Sequence, residues 1–196
     1  GYLLKVPAID LAEVGAGGGS IVWIDAGGSL QIGPQSAGAN PGPACYGKGG
    51  PLCITDINLF LGRIKKDSFP FPLDLAAVET KLKQIQHQIK QSEKQDRSLM
   101  WIAEGFLKIA VAKTAQAIRL VSIQKGYDVT DYALVSFGGA AGQICCKVAE
   151  ELGIGKILVH PQAGVLSAYG IGLADRVIHR SQGIYRKLTN ATDLET

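Results

Sequence analysis

Tyr132-Ala133-Leu134-Val135-Ser136-Phe137-Gly138-Gly139-Ala140-Ala141-Gly142-Gln143 is the stretch that decides the fold. Tyr132 to Phe137 is a short apolar run, which predicts a buried strand. Beyond the glycines, Ile144, Val148 and Leu152 share one helical stripe, with Ala141, Cys145 and Ala149 beside them. Gly153 supplies a C-terminal stop. A Gly-Gly pair therefore lies between the carboxyl end of a strand and the start of a helix, where open α/β sheets bind ligands. Glycine lets a ligand approach the backbone closely, and a helix start offers unpaired N–H groups to a polar or anionic group. A tight βα turn without a ligand uses the same residues, so this segment alone leaves both readings open.

Downstream, Lys156 to Val159 predicts a second strand, and Gln162 to Gly170 leads into a small-residue helix ending near Asp175. Val177 to Leu188 reads as a last strand. Upstream, Asp96 is the expected cap of a long helix that runs to Gln124 and stops at Gly126. Its apolar residues cover a wide arc, which predicts a central helix packed on several sides. Leu73 to Lys94 is amphipathic, with Val78, Leu82, Ile85 and Ile89 inward and His87 on the wet face. Thr55 is the expected cap of a short helix that starts at Thr55-Asp56.

Nearer the N-terminus, Val14 to Ser20 is a glycine-rich loop. Ile21 to Asp25 and Leu30 to Ile32 flank Ala26-Gly27-Gly28-Ser29, which predicts a hairpin. A strand after the glycines argues against a Rossmann fingerprint, which needs a helix there and a glycine at Ser20. A backbone nest for an anion, built on Gly17, Gly18, Gly19 and Ser20, and a purely structural loop both remain open. Gly33 to Pro51 is a long irregular segment of the kind usually kept for function or for packing on a neighbour. The expected organisation is one α/β domain over residues 1–196. It has a hairpin over 14–33, a loop over 33–54, a helical region over 73–126 and a strand-helix-strand-helix-strand subdomain over 131–188.

The 196 residues suffice for one domain with a core, or for part of a larger one. A formal net charge of +3, with scattered basic residues and no interleaved aromatics, argues against nucleic acid. No apolar run reaches membrane-spanning length and no signal peptide is visible. The four cysteines lack C-x-x-C spacing and read as reduced thiols of a cytoplasmic protein. The opening Gly1 to Pro7, without an initiator Met, reads as a piece of a longer protein.

Several motifs in order carry a family resemblance. They are Gly15-Ala16-Gly17-Gly18-Gly19-Ser20-Ile21, Ser36 to Tyr46, Thr55-Asp56 with Leu61-Gly62-Arg63, Phe137-Gly138-Gly139, and Ala163 to Gly170 with Leu173-Ala174-Asp175. Together they resemble the hydantoinase/oxoprolinase family over residues 5 to 188. Ala103-Glu104-Gly105-Phe106, Gln124 to Val129 and Gly142-Gln143 are most similar to its 5-oxoprolinase branch. The resemblance implies a ribonuclease-H/actin-like ATPase fold, with a mixed sheet, packed helices and an N-terminal hairpin. The two Asp-x-Gly-Gly-Thr phosphate loops that the family carries do not occur here. The chain thus resembles the C-terminal part of that ATPase domain.

The resemblance further implies ATP, Mg²⁺ and, as a candidate cation, K⁺, used to open a cyclic amide, 5-oxo-L-proline first. Other branches would cleave hydantoins or carboxylate ketones, and a non-catalytic actin-like nucleotide-binding module is a third reading. The implied nucleotide contacts are Gly17, Gly18, Gly19, Ser20, Gly138, Gly139, Ala140, Gly142 and Gln143. Asp56 and, more weakly, Asp10 are candidate catalytic acids, against the plainer role of capping or surface pairing. The metal ligands stay unassigned. Implied partners are the N-terminal half of the same ATPase domain and a second, HyuB-like domain or subunit, with homo-oligomerisation left open. Ala141 stands where the family usually has glycine, Ile144 where 5-oxoprolinases commonly have histidine, and Gln35 where glutamate is usual. The chain by itself is expected not to turn over.

Overall fold

A computed structural model describes residues 11–178 and 180. By its contacts the chain divides into two compact units that part between Leu166 and Ser167.

The first unit begins with the hairpin. β1 (Ser20–Ile24) pairs antiparallel with β2 (Leu30–Ser36), with a bulge between Ser20 and Val22. Asp25 closes the turn: its Oδ1 accepts from the N–H groups of Ser29 at 2.9 Å and Gly27 at 3.0 Å, and its Oδ2 from Gln31 Nε2 at 2.9 Å. The Ser29 N–H, then Gln31, hold the Asp25 carboxyl below its ordinary range.

Three helices cover the hairpin: α1 (Ile54–Phe60), α2 (Leu75–Glu93) and α3 (Leu99–Val121). They bury one core that includes Val22, Ile32, Ile57, Leu82, Ile102 and Phe106. Two expected caps are corrected. Cys53, not Thr55, caps α1, because Asp56 in the third helical position reaches back to the Cys53 N–H. Ser98, not Asp96, caps α3 by accepting from the Trp101 N–H, and Asp96 instead pairs with Lys90 at 2.9 Å. Gly126 ends the 3₁₀ turn that follows α3 in a left-handed conformation.

The deciding stretch forms the expected strand, turn and helix, but the strand expected to be buried over Tyr132 to Phe137 is only three residues long, and Tyr132, Val135 and Phe137 are exposed. β3 (Leu134–Ser136) lies parallel to β4 (Ile157–Val159), and α4 (Cys145–Leu152) crosses between them and ends at left-handed Gly153. Val148, Ala149 and Leu152 bury against Val111 and Ala115 of α3, so α3 serves both cores. The expected mixed sheet is not formed among the described residues: the antiparallel hairpin and the parallel pair are separate two-stranded sheets. Alternation along β3 sends Leu134 and Ser136 inward, while Val135 and Phe137 stay exposed beside Leu158 of β4.

Of the second unit, residues 167–178 and 180 are described and carry most of α5 (Leu166–Leu173). Val177 and Ile178 form no strand, and the rest of the expected strand to Leu188 lies largely outside the described residues.

Candidate functional site

The two glycine segments, distant in sequence, meet across one cleft. Val14, Gly17, Gly18, Asn58, Phe137 and Ala140 contribute to its lining, and it encloses about 490 Å³. A Cβ placed on Gly18 would lie 2.9 Å from Thr55 Oγ1 and 3.2 Å from the Ala140 Cβ, so this close approach requires glycine. The N–H groups of Gly17, Gly18, Gly139 and Ala140 have no acceptor among the described residues. Gly17, Gly18 and Ala140 line the cleft among mostly apolar neighbours and Gly139 adjoins Ala140, so unpaired main-chain donors on both walls suit a polar or anionic group.

Next to Phe137 of the far wall but outside the lining, Gly138 (φ +88°) donates its N–H to the Ala163 carbonyl at 2.8 Å, which fixes the end of β3. Gly139 and Gly142 are exposed, and nothing lies within 4 Å of a Cβ placed on either. Gln143 ends the following turn, with its N–H on the Ala140 carbonyl. On the near wall, Gly18 offers its carbonyl to both the N–H and the Oγ1 of Thr55, each at 2.9 Å. Gly19 and Ser20 lead into β1, where the buried Ser20 pairs with Ser36.

Asp56 lies away from this lining. It is fully buried, and its carboxylate accepts from the N–H groups of Cys53 (2.7 Å), Cys45 (2.8 Å) and Ala44 (3.0 Å). Burial pushes its carboxyl above the usual range, and the donors, led by Cys45, pull the other way. The geometry gives Asp56 the task of pinning the long irregular segment onto α1. Asp10 lies outside the described residues.

Reading the sequence alone misses Asn58 and Arg63. Asn58 Nδ2 donates to Gln143 Oε1 at 3.0 Å, and Arg63 Nη1 donates to the Gln143 carbonyl at 2.9 Å. Asn58 is fully buried and its Oδ1 has no partner among the described residues. The available signal was a polar residue next to Ile57 and one turn beyond Ile54, on the buried side of a short helix. Among the described residues no three His, Cys, Asp or Glu side chains converge.

All four cysteines are free thiols, and only Cys146 is exposed. Burial, with the Asp56 carboxylate adding to it, lifts the Cys45 thiol far above its ordinary range and pushes Cys53 up to about 12. The reactive species is the thiolate. At pH 8 a thiol reagent should therefore label the exposed Cys146 first, with the buried Cys45 and Cys53 much slower until the protein is unfolded. Rapid native labelling of Cys45 or Cys53, located by peptide mapping, would contradict this environment.

The family model described as hydantoinase/oxoprolinase matches residues 1–180. The 5-oxoprolinase of Dictyostelium discoideum is 39% identical over 98% of this chain, which spans 16% of that protein. The crystal structure of the ATP-dependent caprolactamase from Pseudomonas jessenii is 40% identical and superposes with a TM-score of 0.74, over 85% of this chain and 24% of that one. A nucleotide-free acetone carboxylase is 27% identical with a TM-score of 0.72, over 83% of this chain and 23% of that one. The chain thus spans a minor part of the length of each. No helix among the described residues is long and apolar enough to cross a membrane. The matched region takes in both walls of the cleft and the helices that join them, and on this ground the chain belongs to the hydantoinase/oxoprolinase family.

Proposed function

We propose that this chain is part of an actin-like, ATP-dependent hydrolase that opens a cyclic amide, with 5-oxo-L-proline, opened to L-glutamate, as the first substrate to test. The observation that carries the reading is the cleft between the two glycine segments, with unpaired N–H donors on both walls. The 39% identity to a 5-oxoprolinase and 40% to a caprolactamase, against 27% to an acetone carboxylase, favour a lactam over a ketone. In this reading the lactam oxygen attacks the γ-phosphorus of ATP and ADP leaves. Water then adds at the activated ring carbon, the C–N bond opens, and a second water frees phosphate. The protein's part in such transfer is positioning and charge stabilisation, which main-chain donors supply.

The N-terminal part of the same ATPase domain would bring the second set of phosphate contacts and any Mg²⁺ ligands. The exposed Val135, Phe137 and Leu158 support such a partner, since parallel strands are normally covered on both faces.

Gly139→Val in the full-length protein is the test. Its Cβ meets nothing within 4 Å and its φ is outside the left-handed region, so the fold should survive. The branched side chain would fill the space a nucleotide needs. ATP affinity should fall about tenfold or more, roughly 1.4 kcal/mol, with an unchanged melting temperature. Unaltered ATP affinity in the folded variant would refute the site. Gly138 makes a poorer test, because its φ of +88° strains any other residue.

A further inference from the structure

We infer that α1 sets the width of the cleft, and that Asn58 and Arg63 are positioning residues that hold the far wall in its binding geometry. This rests on reading the cleft as the nucleotide site. Both walls hang from the one short helix and its C-terminal turn. The near wall is tied through Thr55, whose N–H and hydroxyl both donate to the Gly18 carbonyl. The far wall is tied through Gln143, which takes Asn58 Nδ2 on its side chain and Arg63 Nη1 on its carbonyl. The helix is itself anchored at its start by the Asp56 carboxylate.

Asn58 is an uneconomical residue for a buried position. Its Oδ1 finds no partner among the described residues, an unmet acceptor that a leucine of similar volume would not bury. What the carboxamide contributes is its donor to Gln143. Gln143 in turn donates its N–H to the Ala140 carbonyl at 3.1 Å, so the hold on Gln143 reaches the turn that carries the unpaired Gly139 and Ala140 N–H groups.

Released from Asn58 and Arg63, residues 139–143 would sample conformations in which those donors no longer face the ligand. Apparent affinity falls in proportion to the competent fraction, while bound nucleotide restores the geometry. The signature is therefore a raised KM for ATP with little change in kcat.

The experiment uses the full-length protein and its Asn58→Leu, Arg63→Ala and Arg63→Lys variants. It measures ATP binding by equilibrium dialysis, steady-state KM and kcat, and thermal unfolding. Wild-type binding of ATP comes first; its absence overturns the nucleotide reading and this inference with it. Given binding, Asn58→Leu and Arg63→Ala should each raise Kd and KM for ATP about tenfold. Their kcat should stay within about twofold, and Arg63→Lys, which keeps a donor, should recover most of the loss. ATP affinities within twofold of wild type in both Asn58→Leu and Arg63→Ala would overturn the inference alone. So would a fall in kcat that follows the folded fraction at constant KM, which marks a merely structural role.

Discussion

Asp56→Ala is expected to cost roughly 2–6 kcal/mol of stability, because it leaves the buried N–H groups of Cys45 and Cys53 without an acceptor at about 1–3 kcal/mol each, while the Ala44 N–H keeps the Pro51 carbonyl at 2.9 Å. Cys45 lies in the irregular segment before α1 and Cys53 at the helix start, so the loss falls on both. Asp56→Asn keeps the shape but sets an NH₂ against a backbone donor, and should recover only part of the loss. Urea unfolding of the full-length protein gives the measurement. A midpoint close to wild type in Asp56→Ala, together with abolished turnover, would reverse the assignment and make Asp56 a catalytic acid after all.

Gly50→Ala should be nearly as damaging, at about 3 kcal/mol or more. The added Cβ would lie 1.9 Å from the Gly42 carbonyl oxygen, 3.0 Å from its carbon and 3.3 Å from the Pro43 carbonyl carbon. All three are backbone atoms of the segment that Asp56 pins, so relief requires moving the chain and not merely turning a side chain. Gly49→Ala is the neighbouring control. Its φ of +75° carries a conformational penalty of about 1–2 kcal/mol, but nothing lies within 4 Å of the new Cβ. Thermal melts should rank Gly50→Ala well below Gly49→Ala; equal melting temperatures would show that the segment yields easily. Gly50→Ala and Asp56→Ala disturb one segment and should combine to less than their sum.

The sequence by itself determined the elements whose signal is local. The hairpin around Asp25 to Ser29, the inward stripe of α2, the strand before Gly138 and the stop at Gly153 all follow from periodicity and turn chemistry within a few residues. The family was also legible, because its motifs are short runs in a fixed order, and the comparisons bear it out. Boundaries were less legible. Thr55 and Asp96 are sound caps by composition, and Cys53 and Ser98 displaced them through hydrogen bonds that a residue list cannot rank.

The site's construction belonged to the tertiary structure alone. No spacing rule brings Gly18 against Ala140, turns the Asp56 carboxylate toward Ala44 and Cys45, or sends Asn58 and Arg63 to Gln143. Each contact joins residues on different elements. It exists only because α3 packs the hairpin and α1 on one part of its surface and α4 on another, a choice made by the burial of whole faces. Periodicity tells which face of an element is apolar. Which two faces meet, and so which polar groups are left opposite one another at the edge of the contact, is settled when the elements pack.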